Sequence, residues 1–340
     1  MRIGFNPNKD KPLSKHNFFH QVVVPVYIPH MKDYFKDSLL ILKCCLGSLI
    51  ETTHDKTYFT VVNNGSCDEV VKFLDELKEE GKIHELIHTT SIGKINAIVK
   101  GVAGHKFDLV SLVDGDVLFV QGWQNATYRI FNAFPKAGVV TTTPNPKLIK
   151  YHSSALFFDM LFSNSLKFSK VKDPKALKMF SDSIGNNNLY KDIHLTKYLT
   201  IKSVTGINAV VGSGHFVATY RGDLFKTLNN SNDAYFLGGN AVEQHLDYPI
   251  AKKGFWRLST LDNYTYHMGN TLELWMEEFL NEQKQYKNLG TEGLKLSEYR
   301  ECSAFVRSVQ GLFSKLFFKK YIWKLYLMNK GLSKFEAESY

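Results

Sequence analysis

Two carboxylates one residue apart, Asp114 and Asp116, close the apolar run LVSLVDGDVLF over residues 109–119. A short apolar run bounded by turn residues suits a strand covered on both faces, so the run delivers both acids together at a strand end. Paired acids beside a core are costly unless something positive sits between or above them. A hard divalent cation answers that need, because Mg²⁺ and Mn²⁺ take one or two carboxylates together with phosphate oxygens. Gly115 between the acids lets the backbone turn tightly and leaves no side chain over a ligand. An isolated Asp-Gly-Asp reads as a solvated turn, since Asp-Gly is a common turn dipeptide. The neighbouring stretches decide between the two readings.

Three further groups have the types such a site would use. Asn63-Asn64-Gly65-Ser66 and Ser91-Ile92-Gly93-Lys94 are polar, turn-forming stretches that each follow an apolar run. Glu243, His245 and Asp247 sit on an expected helix over residues 241–254, after Gly238-Gly239-Asn240. His267 lies in YTYHMGN, residues 264–270. Glu243 alone would be an ordinary acid at a helix start, where the dipole favours it. His215, after Gly-Ser-Gly, reads as a loop histidine.

The elements that position these groups alternate. Residues 21–29, QVVVPVYIP, read as a first buried strand. A helix over residues 33–51 has Leu39, Leu42, Leu46 and Leu49 at helical spacing. Residues 58–62 are a second strand, and Ser66 with Glu69 forms an S-x-x-E capping box for a helix over 68–80. Residues 84–90 are a short third strand, and the next helix carries Ala97 and Gly101 at a spacing that permits close packing on a sheet or ligand. The 109–113 strand follows. This alternation argues βαβ units in a mostly parallel α/β sheet flanked by helices. Ligands of such sheets bind beyond the carboxyl ends of the strands, where the three polar stretches converge.

The remainder divides into a loose basic arm (1–20), an insertion or acceptor region (145–205) and a helical extension (273–340). From 302 to 334 the extension has seven basic residues, no acidic one, and interleaved aromatics. Lys315, Lys319 and Lys330 fall on one helical face there, with Lys320 and Lys324 interrupting the apolar one. Such a segment suits an anionic membrane surface, each basic residue contributing on the order of 1 kcal/mol. A helix packed on the main domain or on a second subunit is the plainer reading.

The 340 residues are 44% hydrophobic and 22% charged, which excludes a disordered chain. Four cysteines, two of them adjacent at Cys44 and Cys45, give neither a disulfide framework nor zinc spacing. The N-terminal residues lack the apolar stretch of a signal peptide, and no run approaches the ~18 apolar residues of a spanning helix. A cytoplasmic protein, peripheral at the inner face of a plasma membrane, is expected. The net charge of +9 suits phosphates, anionic lipid or nucleic acid alike.

The order of these motifs resembles the GT-A-fold glycosyltransferases, specifically the inverting family 2 of bacterial surface-glycan type, over roughly residues 21–270. VVVPVYIP resembles the opening strand, VVNNGSCDE the nucleotide-facing turn, GKINAIVKG the G-x-x-x-A-x-x-x-G helix, and LVDGDVLF the D-x-D motif. GGNAVEQHLDYPIAKKGF resembles the region of the catalytic carboxylate, and HMGN that of the late histidine. The resemblance implies a Rossmann-like GT-A domain over 21–272 that takes a nucleoside-diphosphate sugar, UDP-type by preference. It implies a glycan or lipid-linked glycan as acceptor. It places Pro25, Tyr27, Asn63, Asn64, Gly65, Ser66, Gly93, Lys94, Asp114 and Gly115 around the donor. Asp114, Asp116 and His267 would hold Mn²⁺ or Mg²⁺, and Glu243, or else Asp247 one helical turn on, would be the catalytic base. Asn63 stands where the family usually has an aspartate facing uracil.

A nucleotidyltransferase shares the sheet and paired acids, but it would want a glycine-rich basic loop after the first strand, and VYIPHMKDY has neither glycine nor arginine. A nucleic-acid-binding module would leave the acids, Glu243 and HMGN unexplained, so no nucleic-acid partner is expected.

Overall fold

Consecutive valines that all escape water belong in the middle of a doubly covered sheet. In β1 (His20–Val26), Val22, Val23 and Val24 are fully buried. The computed structural model describes residues 4–11, 17–227, 241–283, 292–299 and 301–340. In it β1 pairs in parallel with β2 (Thr57–Asn64) and β4 (Leu109–Val113), and β2 pairs in parallel with β3 (Glu85–Thr89). The sheet order β3-β2-β1-β4 continues through β10 (Val217–Arg221), β6 (Ala137–Thr141), β11 (Trp256–Ser259), β9 (Asn208–Val211), β8 (Lys197–Lys202) and β7 (Leu166–Lys170). The first four strands form the parallel α/β core. Beyond it β6 and β11 are parallel and the other pairings antiparallel.

Helices α1 (Ser38–Glu51), α2 (Asp68–Glu79) and α3 (Lys94–Val102) cover this core. Gly101 of α3 is required by contact: a Cβ there would stand 2.6 Å from Val23 Cγ1. The expected close packing at Ala97 and Gly101 is therefore against the sheet. Two expectations on this face need correction. Residues 33–35 form a separate 3-10 turn with Asp33 at φ 50°, so the helix begins at Ser38. Ser66 makes no capping box, because Cys67 is the N-cap residue of α2. Ser66 Oγ instead accepts from Ile28 N at 3.1 Å and so ties the Asn63–Ser66 turn to the end of β1.

After β4 a short strand, β5 (Val117–Phe119), leaves the main sheet and pairs antiparallel with β12 (Thr265–His267), with His267 opposite Val117. Helix α4 (Trp123–Ala133) then leads to β6. The region 145–205 is continuous with the main sheet. Its α5 (Ser154–Met160), β7, α6 (Pro174–Ser183), α7 (Asp192–Thr196) and β8 extend the sheet, and Leu156, Phe157, Leu199 and Ile201 share one apolar cluster with Leu109 and Tyr128.

The C-terminal aromatics divide by burial. Helix α9 (Leu274–Gln283) packs on α1, while α10 (Ala304–Phe317), α11 (Lys320–Asn329) and α12 (Lys334–Ser339) cover the far half of the sheet. Phe317, Trp323, Tyr326 and Leu327 are buried in that same cluster, and Phe168 N donates to Lys330 O at 3.0 Å at the sheet edge. The chain turns between α10 and α11, so Lys315 and Lys330 share no helical face. Lys330 is buried and donates to Ser163 O.

Candidate active site

Helix α1 backs the acidic turn: Cys45 Sγ donates to Asp114 O, and Ser48 Oγ accepts from Phe119 N at 3.1 Å. In front lies a cavity of about 410 Å³, lined by Pro25, Tyr27, Asn64, Lys94, Asp114, Gly115 and Asp116 among the expected donor residues. Ser91 and Asn270, from the polar stretch after β3 and from HMGN, line it too, as do Tyr34 and Phe35, which the sequence did not single out. Tyr27 and Tyr34 are well exposed there and both meet the Phe35 ring edge-on, an aromatic wall suited to a base or sugar face. Gly115 has no left-handed backbone, and a Cβ there would meet only Leu42 at 3.4 Å. Its value is the open cavity above it; the tight turn expected to need glycine does not.

Asn63, Gly65, Ser66 and Gly93 do not line the cavity. Asn63 is buried, its Nδ2 donating to His88 Nδ1 at 2.9 Å and its Oδ1 accepting from Ser66 N at 3.0 Å. An asparagine has the donor that His88 takes up and an aspartate would lack, so Asn63 is spent on building the turn. Gly65, at φ 85°, is needed because a Cβ would lie 2.8 Å from Ser91 N, which joins the first two polar stretches. Asn64 Oδ1 accepts from Ile92 N at 2.9 Å across the same join.

The β5–β12 ribbon brings His267 Nε2 to 3.3 Å from Asp116 Oδ2, while Ser183 Oγ, at 3.0 Å from Nδ1, orients the ring. Asp116 Oδ1 is buried and has no partner among the described residues. Burial pushes the Asp116 carboxyl above its usual range; His267 opposes this and Asp114 adds to it. A stranded carboxylate oxygen beside an imidazole fits a divalent cation that draws its remaining ligands from phosphate and water. No group of three or more protein ligands occurs among the described residues. Asp114, the third expected ligand, is held instead by an ion pair with Lys94.

The helix after residue 240 carries the two candidate bases, and the structure separates them. Residues Glu243–Asp247 form a π-helical turn, a widening common at functional sites, followed by α8 (Tyr248–Lys252). Asp247 is fully buried, ion-paired with the equally buried Arg257, and in reach of Tyr151 Oη and His215 Nε2, both at 3.2 Å. Its carboxylate is thus enclosed among Arg257, Tyr151 and His215. Glu243 keeps 40% of its side chain exposed and is 2.9 Å from His152 Nε2. His215 is no plain loop histidine: it faces Asp247, and burial lowers its pKa. Gly238, Gly239 and Asn240 lie outside the described residues. Arg257 was findable in the sequence, as an arginine in the apolar strand FWRLS must have a buried partner. Nothing in the sequence singled out His152.

The model of the family described as Glycosyl transferase family 2 matches residues 23–193. The poly-beta-1,6-N-acetyl-D-glucosamine synthase of Staphylococcus aureus (strain COL) is 25% identical over 99 residues, 29% of this chain and 24% of that protein. The chain thus matches about a quarter of the length of such curated relatives. Among solved structures, a mannosyltransferase from Pyrobaculum calidifontis, in complex with GDP-Man and Mn²⁺, aligns at a TM-score of 0.43 and 16% identity over 76% of this chain and 61% of that one. S. aureus TarS 1-349 in complex with UDP-GlcNAc aligns at 0.40 and 14% identity over 94% and 69%.

Proposed function

Because the chain belongs to glycosyl transferase family 2, we propose that it moves a sugar from a nucleoside-diphosphate donor to a hydroxyl of a surface glycan or lipid-linked glycan, inverting the anomeric centre. The observation that supports this reading is one cavity lined by Lys94, Asp114 and Asp116 together with the aromatic pair Tyr27 and Tyr34. The pyrophosphate belongs beside Lys94 and the acids, the nucleoside along the aromatics. Asp116 and His267 would hold a divalent cation, which when bound offsets the charge of the departing diphosphate. Glu243 takes the proton of the acceptor hydroxyl as its oxygen bonds to the anomeric carbon. The bond from that carbon to the phosphate oxygen breaks, and its electron pair leaves on the nucleoside diphosphate.

A panel of UDP-, GDP-, CDP- and dTDP-sugars, each with and without Mn²⁺, tests this by thermal shift and by release of nucleoside diphosphate. One donor class is expected to raise the melting temperature, and Mn²⁺ to deepen that shift. A flat response across the panel would sink the reading.

The lipid-linked form of the acceptor is supported by the outer face of the C-terminal helices. Phe305, Leu312 and Leu316 along α10, and Tyr321 and Leu325 on α11, are exposed beside exposed Lys315, Lys319 and Lys320. No described helix is long and apolar enough to cross a membrane. An apolar stripe edged by lysines complements an anionic bilayer, with ~1 kcal/mol from each lysine. Flotation with phosphatidylglycerol vesicles is expected for the parent protein, and at least ~10-fold less for L312E/L316E. Equal flotation of the two, or flotation on phosphatidylcholine alone, would count against this surface.

A further inference from the structure

His152 is one of three described non-glycine residues with a positive φ, at 52°. That conformation is uncommon outside glycine, with asparagine, aspartate and histidine taking it more readily than other residues, and it persists where the surroundings hold it. The surroundings here do. Ile149 is buried in the core, Lys150 Nζ lies 4.9 Å from the centre of the Trp323 ring, and Tyr151 Oη donates to the buried Asp247. Ser153 follows as the N-cap residue of α5, itself buried. The chain around residue 152 is therefore anchored on both sides, and the left-handed residue aims its ring at Glu243. The His152 ring packs edge-on against Tyr151 and Tyr248, at 4.5 and 6.3 Å between centroids, which fixes its plane.

We infer that His152 is the positioning residue of the catalytic base: its Nε2–H holds Glu243 Oε1 and leaves Oε2 directed at the acceptor hydroxyl. The inference rests on the reading of Glu243 as base. Three observations support it together. The contact is 2.9 Å, the Glu243 side chain makes no other hydrogen bond or ion pair among the described residues, and Glu243 opens a π-helical turn, a widening common at functional sites. The imidazole spans from the 149–153 turn to the helix of Glu243, so the acceptor side of the site is set by two segments distant in sequence. One of them is buttressed by α11 through Trp323.

The test uses the full chain and, as probe, whichever panel sugar releases nucleoside diphosphate fastest with Mn²⁺. Asparagine at 152 tolerates the left-handed backbone but is too short to reach Glu243; glutamine reaches and keeps an N–H donor. H152N is expected to fold with an unchanged melting temperature, to keep the KM for the donor, and to lose kcat by about 10²-fold. H152Q is expected to recover most of that loss. In the E243Q background the further change H152N should cost little, because its effect passes through Glu243. Full kcat in H152N, or a multiplicative loss in the double variant, overturns the inference while leaving Glu243 as base. Full kcat in E243Q, or no release from any panel sugar, overturns the parent reading and this inference with it.

Discussion

Asp116→Asn is expected to lower sugar transfer at saturating Mn²⁺ by about 10²–10³-fold, the scale of losing one electrostatic partner of a developing negative charge. The substitution keeps the volume, removes the charge and exchanges one acceptor oxygen for an amide donor. Folding should not suffer. The carboxylate is already pushed toward its neutral form by burial, and Oδ1 has no partner to lose. The unliganded D116N protein is thus expected to melt at or above the parent temperature, while the Mn²⁺-dependent shift with donor disappears. Steady-state release of nucleoside diphosphate, with and without Mn²⁺, and a melting curve read both effects. Transfer at the parent rate in D116N would remove the acid from the reaction altogether.

The largest stability effect is expected at Arg257→Met. Arg257 and Asp247 are both fully buried and paired, and Arg257 also donates to Ser213 O at 3.0 Å. Removing the guanidinium strands a carboxylate in the core, which costs about 3–5 kcal/mol. The double change R257M/D247L removes both charges and should recover much of that loss, less what stranding Tyr151 Oη and His215 takes back. Equilibrium urea unfolding of the three proteins separates the terms. A double variant no more stable than the single one would mean that packing, rather than the stranded charge, sets the penalty.

The parallel half of the sheet was legible because its strands are apolar runs bounded by turn residues and its helices show a 3.6 period. Ser66 and Asp33 show where local patterns mislead. The S-x-x-E spacing was present, but Ser66 had a better partner across the sheet in Ile28 N. The Leu39 stripe ran back toward Asp33, yet the chain breaks there into a turn that holds Tyr34 and Phe35 at the cavity. In the acidic turn, residue types pointed to Asp116 and His267, which the ribbon brings to 3.3 Å of each other. Spacing had nothing to say about Lys94 pairing with Asp114, or about which of Glu243 and Asp247 faces outward. Those depend on Arg257 and His152, partners distant in sequence. The C-terminal segment was ambiguous for a related reason. Trp323 and Leu325 have similar apolarity, and only the tertiary packing decides that the first is buried and the second exposed.

The pairing of Val117 with His267 also has a consequence in time. The acids and the histidine are joined by a two-stranded ribbon whose halves lie about 150 residues apart. At a ribosomal pace of ~5–20 residues per second, the second strand emerges roughly 8–30 s after the first. Through that interval the parallel core can pack against α1, with the acidic turn formed and its histidine not yet synthesised. A ribosome-bound chain stopped short of residue 265 would present the parallel strands β1–β4 with an acidic turn that still lacks its ribbon partner and its histidine.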